Sequence, residues 1–265
     1  MKQKQNIIDF FPHNYYTSKI FYGGAFPLGD NQKLRDRCRL FKQMKINKIK
    51  MKMGEVLENN REALEIIAEV FGQDYDLKID ANCAWSDGLG LKHIPLLRKY
   101  QVKVVEQPMM PDDPTLAEFA GALKAYGILL MADESACSFG DIEKIIEEGH
   151  YKMINIRLSK LGGFRKSLKI IDYLRKENLF FQIGCHLGES GILSAAGRIL
   201  SLLCRDSMYC DGSYDQFLLK QNITQENVTF GLDGEAGPLE GPGLGVKINE
   251  TNLHQLTTGS VFEIP

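Results

Sequence analysis

Three carboxylates at nearly even spacing constrain this chain more than any other feature. Asp80, Glu106 and Asp133 each end a short β-rich run, and they lie 26 and 27 residues apart. That interval is about one strand-helix repeat of a parallel barrel. Singly, each run is a strand entering an acidic loop, the common solvated turn beside a helix cap. Together, three consecutive strands would aim three carboxylates into one mouth. Like charges held that close need a cation, and oxygen-only donors favour a hard divalent ion such as Mg²⁺.

The rest of the sequence keeps the alternation. Residues 1–17 carry no helical or strand period and read as a lead-in, with a turn at Pro12-His13-Asn14. Lys19-Ile20-Phe21-Tyr22 predicts a strand, Gly23-Gly24 a break, 31–44 a basic helix and 46–53 a second strand. An amphipathic helix over 55–71 has Val56, Leu57, Leu64, Ile67 and Val70 as its inner stripe. Further helices are predicted over 89–100, over 140–148, from Gly163 through Arg175 and over 192–204, and Asp112-Asp113-Pro114 caps another that runs to about Tyr126. Strands over 153–158, 179–184 and 208–211 complete the series, with a short β piece at Val228-Thr229-Phe230.

The second strand has an unusual make-up. Lys48, Lys50 and Lys52 alternate with Ile49, Met51 and Met53, a period of two with opposite faces. An isolated strand of this kind would expose its lysines. In a closed barrel the helices cover the outside, so the Ile/Met face turns outward and the lysines point into the interior, with Lys50 and Lys52 near the carboxylates.

Composition agrees with one domain: 265 residues, 44% of them hydrophobic, suit a single α/β barrel of roughly 250 residues. A net charge of −2 gives no general attraction to nucleic acid or acidic membranes. The six cysteines lack C-x-x-C spacing and read as reduced thiols of a cytoplasmic protein. The first residues lack the apolar stretch of a signal peptide, and no run is long enough to span a bilayer.

Taken in order, Lys50-Met51-Lys52, Asp80-Ala81-Asn82, Glu106-Gln107-Pro108, Asp133-Glu134-Ser135, the segment 155–163 and Gly241-Pro242-Gly243-Leu244-Gly245 make a pattern. It resembles the C-terminal barrel domain of the enolase superfamily, in its muconate-lactonizing, dipeptide-epimerase and o-succinylbenzoate-synthase branch. The resemblance covers 18–265 and implies a modified TIM-type (β/α)7β barrel with one Mg²⁺ held by Asp80, Glu106 and Asp133. It implies a small-molecule carboxylate substrate whose adjacent carbon loses a proton, giving an enolate stabilised by preorganised cations. Lys52 is the expected base, with Lys50 beside it to tune it and to hold the substrate carboxylate.

Two departures from the family pattern matter. Where that branch carries a second lysine on the sixth strand, this chain has Arg157, which keeps its proton and accepts none. Lys160 is three residues further on and, on a regular strand, would face the opposite way. One-base chemistry follows, favouring syn elimination or cycloisomerisation; a racemase or epimerase would need His186, which reads equally as a structural histidine or as the opposing base. The second departure is at the front, where the family has a sizeable capping domain and this chain has 17 residues, a remnant or a truncated start. A separate capping chain or a homo-oligomer would then cover the mouth. A Schiff-base lyase and a capless, non-catalytic barrel are the competing readings.

Overall fold

The computed structural model describes residues 5–259. Strands and helices alternate as β1 (Ile20–Phe21), β2 (Gly24–Phe26), α1 (Asn31–Gln43), β3 (Lys48–Lys52), α2 (Leu57–Phe71), β4 (Asp76–Asp80), α3 (Leu89–Lys99), β5 (Val104–Glu106) and α4 (Leu116–Ala125). They continue as β6 (Leu129–Ala132), α5 (Phe139–Glu148), β7 (Met153–Ile156), the short α6 (Leu158–Leu161), α7 (Phe164–Lys176), β8 (Phe180–Ile183), α8 (Gly191–Leu202) and β9 (Tyr209–Cys210). Strands β2 to β9 form one eight-stranded sheet in chain order, every neighbour parallel. A parallel bridge between Tyr22 and Cys210 brings the last strand back to the first. The Gly23 N–H donates to Cys210 O at 2.9 Å across the same seam. Seven β/α units and a closing strand thus make the expected barrel.

Closing a sheet gives each strand an inside and an outside, and the period-two sequence sorts onto them. Ile49, Met51, Leu77, Ile79, Val105, Ile154 and Ile183 face outward into the continuous apolar layer beneath the helices. Val104, Met131, Met153 and Tyr209 form a separate apolar plug inside the barrel. Two residues further along those strands the interior turns polar, with Glu106, Asp133, Asn155 and Asp211 all buried. Lys50 and Lys78 are buried among them, 8% and 1% exposed, so the lysine face does point inward.

The first strand falls elsewhere than expected. Ile20–Phe21 leaves the barrel to pair antiparallel with β10 (Glu235–Ala236), and the barrel strand begins at Gly24, which was expected to be a break. Glycine is needed there for packing: a Cβ on Gly24 would lie 2.5 Å from the Phe41 ring. Val228-Thr229-Phe230 is no strand; Val228 and Phe230 are buried within a loop, Phe230 beside the rings of Tyr22, Tyr214 and Phe217. In α2 the buried stripe is Ala63, Leu64, Ile66, Ile67 and Phe71, whereas Val56 caps the helix from an exposed position. Asp113 accepts from Thr115 N and Oγ1 at 2.8 and 2.6 Å just before α4, so Pro114 precedes the helix.

The periphery ties the ends of the chain to the barrel. After β9 come α9 (Asp215–Leu218), β10 and α10 (Glu250–Leu256). In the lead-in, Asn6 Nδ2 donates to Leu239 O and Gly241 O, and Thr17 N donates to Leu202 O, so both segments pack on the barrel. Among the described residues no helix is long and apolar enough to cross a membrane. All six cysteines are free thiols.

One glycine packs tightly against Tyr22 at the seam. Gly234 has φ +75°, accepts from Tyr22 N at 2.8 Å, and a Cβ there would meet Tyr22 O at 2.1 Å. Gly234→Ala is expected to cost about 2–4 kcal/mol in urea unfolding, the sum of a strained φ and a backbone clash. A loss below about 0.5 kcal/mol would contradict this seam.

Candidate active site

Register places the carboxylates together. Lys52 pairs with Asp80 and Asp80 with Glu106 across β3, β4 and β5, so these side chains stand side by side at the strand ends. Asp133 follows β6 by one residue. All three carboxylates are buried, at most 1% exposed. Buried charges persist only when paired, and each has its own cation.

Lys52 Nζ lies 2.5 Å from Asp80 Oδ2 and 2.6 Å from Asn82 Oδ1. Lys50 Nζ lies 3.2 Å from Glu106 Oε2, 3.0 Å from Asp211 Oδ2 and 3.8 Å from Asp80 Oδ2. The Arg157 guanidinium abuts Asp133 Oδ2 and reaches to 3.7 Å from Glu106 Oε1. Lys160 joins this group, against expectation, donating to Asp133 O, Asp133 Oδ1 and Asn155 O at 2.6, 2.8 and 2.9 Å. The strand ends at Ile156 and Arg157 caps α6, so residues 157 and 160 are one helical turn apart and share a face. His186 is not drawn in. It is exposed in the loop after β8, its backbone N–H donates to Glu189 Oε2 at 3.0 Å, and its ring makes no hydrogen bond among the described residues.

A second tier lies deeper in the barrel. Lys78 Nζ donates to Gln182 Oε1 at 2.6 Å and to both Asp211 oxygens at 3.0 and 3.1 Å. Asp211 therefore serves two ammonium groups at once. Asn155 Nδ2 donates to Glu106 Oε1 at 2.7 Å. Sequence reasoning missed Lys78, Asn155, Gln182 and Asp211, though two signals were present. Lys78 is two residues before Asp80 and so on its face, and Asp211 ends a β-rich run just as the other three carboxylates do.

Protonation follows from these contacts. Burial pulls Lys50 down, but Asp211, Glu106 and Asp80 outweigh it and hold its pKa well above the usual lysine value. Burial dominates at Lys78 and lowers it despite Asp211. Asp211 opposes its own burial through Lys50 and Lys78, which keep it ionised below the usual carboxylate range. Glu106 is likewise held low by Lys50 and Lys78, whereas burial and the adjacent Glu106 carboxylate raise Asp80. Burial and the Arg157 charge push Lys160 down to about 8.

Buried amides fix the strand ends. Gln107 Oε1 accepts from Asp133 N, Ser135 N and Ser135 Oγ at 2.9, 3.1 and 2.8 Å, tying the loop after β5 to the one after β6. It does so with φ 34°, and Asn82, just past Asp80, has φ 43°. Such backbone persists only where its surroundings impose it. Beyond Lys52, the Gly54 turn donates to Asn60 Oδ1 and accepts from Asn60 Nδ2 and Trp85 Nε1, at 2.9, 2.7 and 3.0 Å. Asn60 also contacts His93 Nε2 at 2.9 Å, under the stacked Trp85 ring.

Chemically the donor set suits a hard divalent cation: three buried carboxylates, all oxygen, on neighbouring strand ends. One of those oxygens, Asp133 Oδ2, is buried without a hydrogen bond. Among the described residues no three His, Cys, Asp or Glu side chains gather closely enough to hold a metal, because each carboxylate is drawn to its own ammonium or guanidinium.

Comparison with known proteins relates this chain to a family. The model for the enolase C-terminal domain-like family matches residues 33–252. The hydrophobic dipeptide epimerase of Enterococcus faecalis is 30% identical over 211 residues, covering 78% of this chain and 53% of that protein. The chloromuconate cycloisomerase of Cupriavidus pinatubonensis is 24% identical over 241 residues, covering 89% and 63%. The chain thus spans about half the length of the first relative and less than two thirds of the second. The crystal structure of a dipeptide epimerase from E. faecalis complexed with Mg and the dipeptide L-Leu-L-Tyr superimposes with a TM-score of 0.79 at 24% identity, over 91% of this chain and 67% of that one, a likeness of fold.

Two measurements probe these electrostatics. Asp211→Asn leaves two buried ammonium groups without their shared counter-charge and is expected to cost about 3–5 kcal/mol in urea unfolding; a change within about 0.5 kcal/mol would contradict the shared pairing. At the rim, burial pushes the Glu189 carboxyl up to about 7, from an ordinary 4.5. With the folded value raised, its stabilising contribution is complete below about 4.5 and is lost as pH rises through 7. Relative to Glu189→Gln, the wild-type chain should lose stability on the order of 2 kcal/mol between pH 4.5 and 8, read from urea midpoints. A flat difference between the two proteins would show that this carboxyl is not raised.

Proposed function

The chain belongs to the enolase C-terminal domain-like family, and from that premise we propose that it removes the proton on the carbon next to a substrate carboxylate, with Mg²⁺ held by Asp80, Glu106 and Asp133. The cation, when bound, supplies Lewis-acid charge to the substrate carboxylate. The observation that carries this reading is the division of labour among the cations. Lys50 and Lys78 are buried among carboxylates deeper in the barrel and Lys160 is held by three acceptors, while Lys52, paired with Asp80, is 32% exposed at the mouth, at the very end of its strand.

Lys52, once deprotonated, takes the proton, and the electron pair of the C–H bond passes into the carboxylate to give an enediolate. Lys50 and Arg157 remain charged and offset the developing negative charge. The proton on Lys52 can then pass to a leaving group on the same face, giving syn elimination, or the enediolate can close or open a ring in a cycloisomerisation. Arg157 cannot serve as a second base. An epimerisation would draw instead on His186, whose ring is unpaired at the rim among the described residues and whose counterpart activity is named for the E. faecalis relative. The substrate is proposed to be a small carboxylate.

Residues 18–265 are proposed as the catalytic barrel. The rim is apolar at Val56, Met110 and Leu187, each more than half exposed, in the loops after β3, β5 and β8. A second copy of the chain or a separate capping chain is the proposed cover, which would exclude water and strengthen the electrostatic terms.

Solvent-deuterium exchange into a library of carboxylates and dipeptides with Mg²⁺, followed by mass spectrometry, tests the chemistry. Lys52→Ala is expected to lower exchange about 10²–10⁴-fold, and His186→Ala to leave it unchanged. Full exchange in Lys52→Ala would refute the base assignment, and loss in His186→Ala would favour the two-base epimerase.

A further inference from the structure

We propose that Arg157 is a built-in competitor for the divalent cation: its guanidinium occupies the gap between Asp133 and Glu106, and the ion enters only by displacing it. This deepens the reading above and rests on it.

Position is the first ground. Arg157 abuts Asp133 Oδ2 and lies 3.7 Å from Glu106 Oε1, so one guanidinium bridges two of the three carboxylates assigned to the ion. A metal drawing on both oxygens would need the space and the charge that it already supplies.

Charge balance is the second. Asp80, Glu106, Asp133 and Asp211 are met by Lys50, Lys52, Lys78, Arg157 and Lys160, five cations against four carboxylates in one connected network. By formal charge the cluster holds one more positive than negative group before any ion arrives. Adding two positive charges beside Arg157 is repulsive in a buried setting where charges are weakly screened, so admission of the ion and departure of the guanidinium go together.

The way the guanidinium is held is the third. A structural arginine at a buried carboxylate usually makes a bidentate fork with its donors satisfied. Here one Arg157 terminal nitrogen abuts Asp133 Oδ2 while Nε is buried without a hydrogen bond, so the guanidinium is not held as a fork. Asp133, for its part, also has Lys160 on Oδ1 at 2.8 Å. Arg157 is also 17% exposed, with solvent on one side to receive it.

Titration of the full chain with Mg²⁺ by calorimetry, and with Mn²⁺ by electron paramagnetic resonance, tests the proposal without reference to turnover. Wild type is compared with R157A and R157Q, each checked for cooperative unfolding; R157Q keeps much of the bulk should R157A fail to fold. The variants are expected to bind either ion at least tenfold more tightly, and adding Asp133→Asn to R157Q should remove the gain. Equal or weaker binding by the variants overturns the competition while leaving Mg²⁺ at the carboxylates intact. Failure of all three proteins to bind either ion overturns the Mg²⁺ reading and this inference with it.

Discussion

One carboxylate shared by two ammonium groups lets this barrel carry charge in its interior. Asp211, on the last strand, meets Lys50 from β3 and Lys78 from β4 at about hydrogen-bond distance. Either lysine alone in an apolar barrel would shed its proton or unfold the chain. With Asp211 between them the ammonium of Lys50 is held charged, and its remaining reach is spent on Glu106 and Asp80, the carboxylates that face the mouth. The charged tier is therefore continuous from the buried centre to the exposed Lys52. Below it Val104, Met131, Met153 and Tyr209 give the barrel an apolar floor.

The same arrangement explains why the site is on strands and its tuning in loops. Strand ends give fixed positions, because register holds Lys52, Asp80 and Glu106 level with one another. The loops that follow are fixed by single buried amides: Gln107 reaches over to the Asp133 backbone, and Asn60 clasps the Gly54 turn. Neither amide touches another charge of the cluster. Each removes slack from a backbone segment that carries one, which is what a preorganised electrostatic site requires.

How much of this was legible follows from the kind of information each residue carries. The strand-end carboxylates and the alternating lysines were readable because a period of two, an even 26- and 27-residue spacing and chain order all express the same barrel. Gly24 was misread because a glycine that opens a turn and one that admits a phenylalanine ring look alike in sequence; only the position of Phe41 separates them. Gln107 was quoted as part of a motif but not understood, since its bonds run to residues 26 and 28 positions away. Lys78 and Asp211 were within reach of the rule that found Asp80, yet a charged residue pointing into a closed barrel is visible only once closure itself is assumed.

Lys160 shows where such rules fail and what turns on the failure. Treating 157 and 160 as positions on a regular strand put Lys160 on the wrong face; ending the strand at Ile156 puts it beside Arg157, one helical turn away. The two cations then divide Asp133 between them, one on each oxygen. Lys160 spends its donors on three acceptors and is a strut, whereas Arg157 leaves Nε without a hydrogen bond. An arginine at 157 consequently does two things that a lysine there would not. It replaces a titratable side chain by one that keeps its proton, which in the function proposed above leaves Lys52 as the base. It also sets a permanent charge against Asp133, so that occupation of the carboxylates by an ion becomes a contest decided at that one side chain.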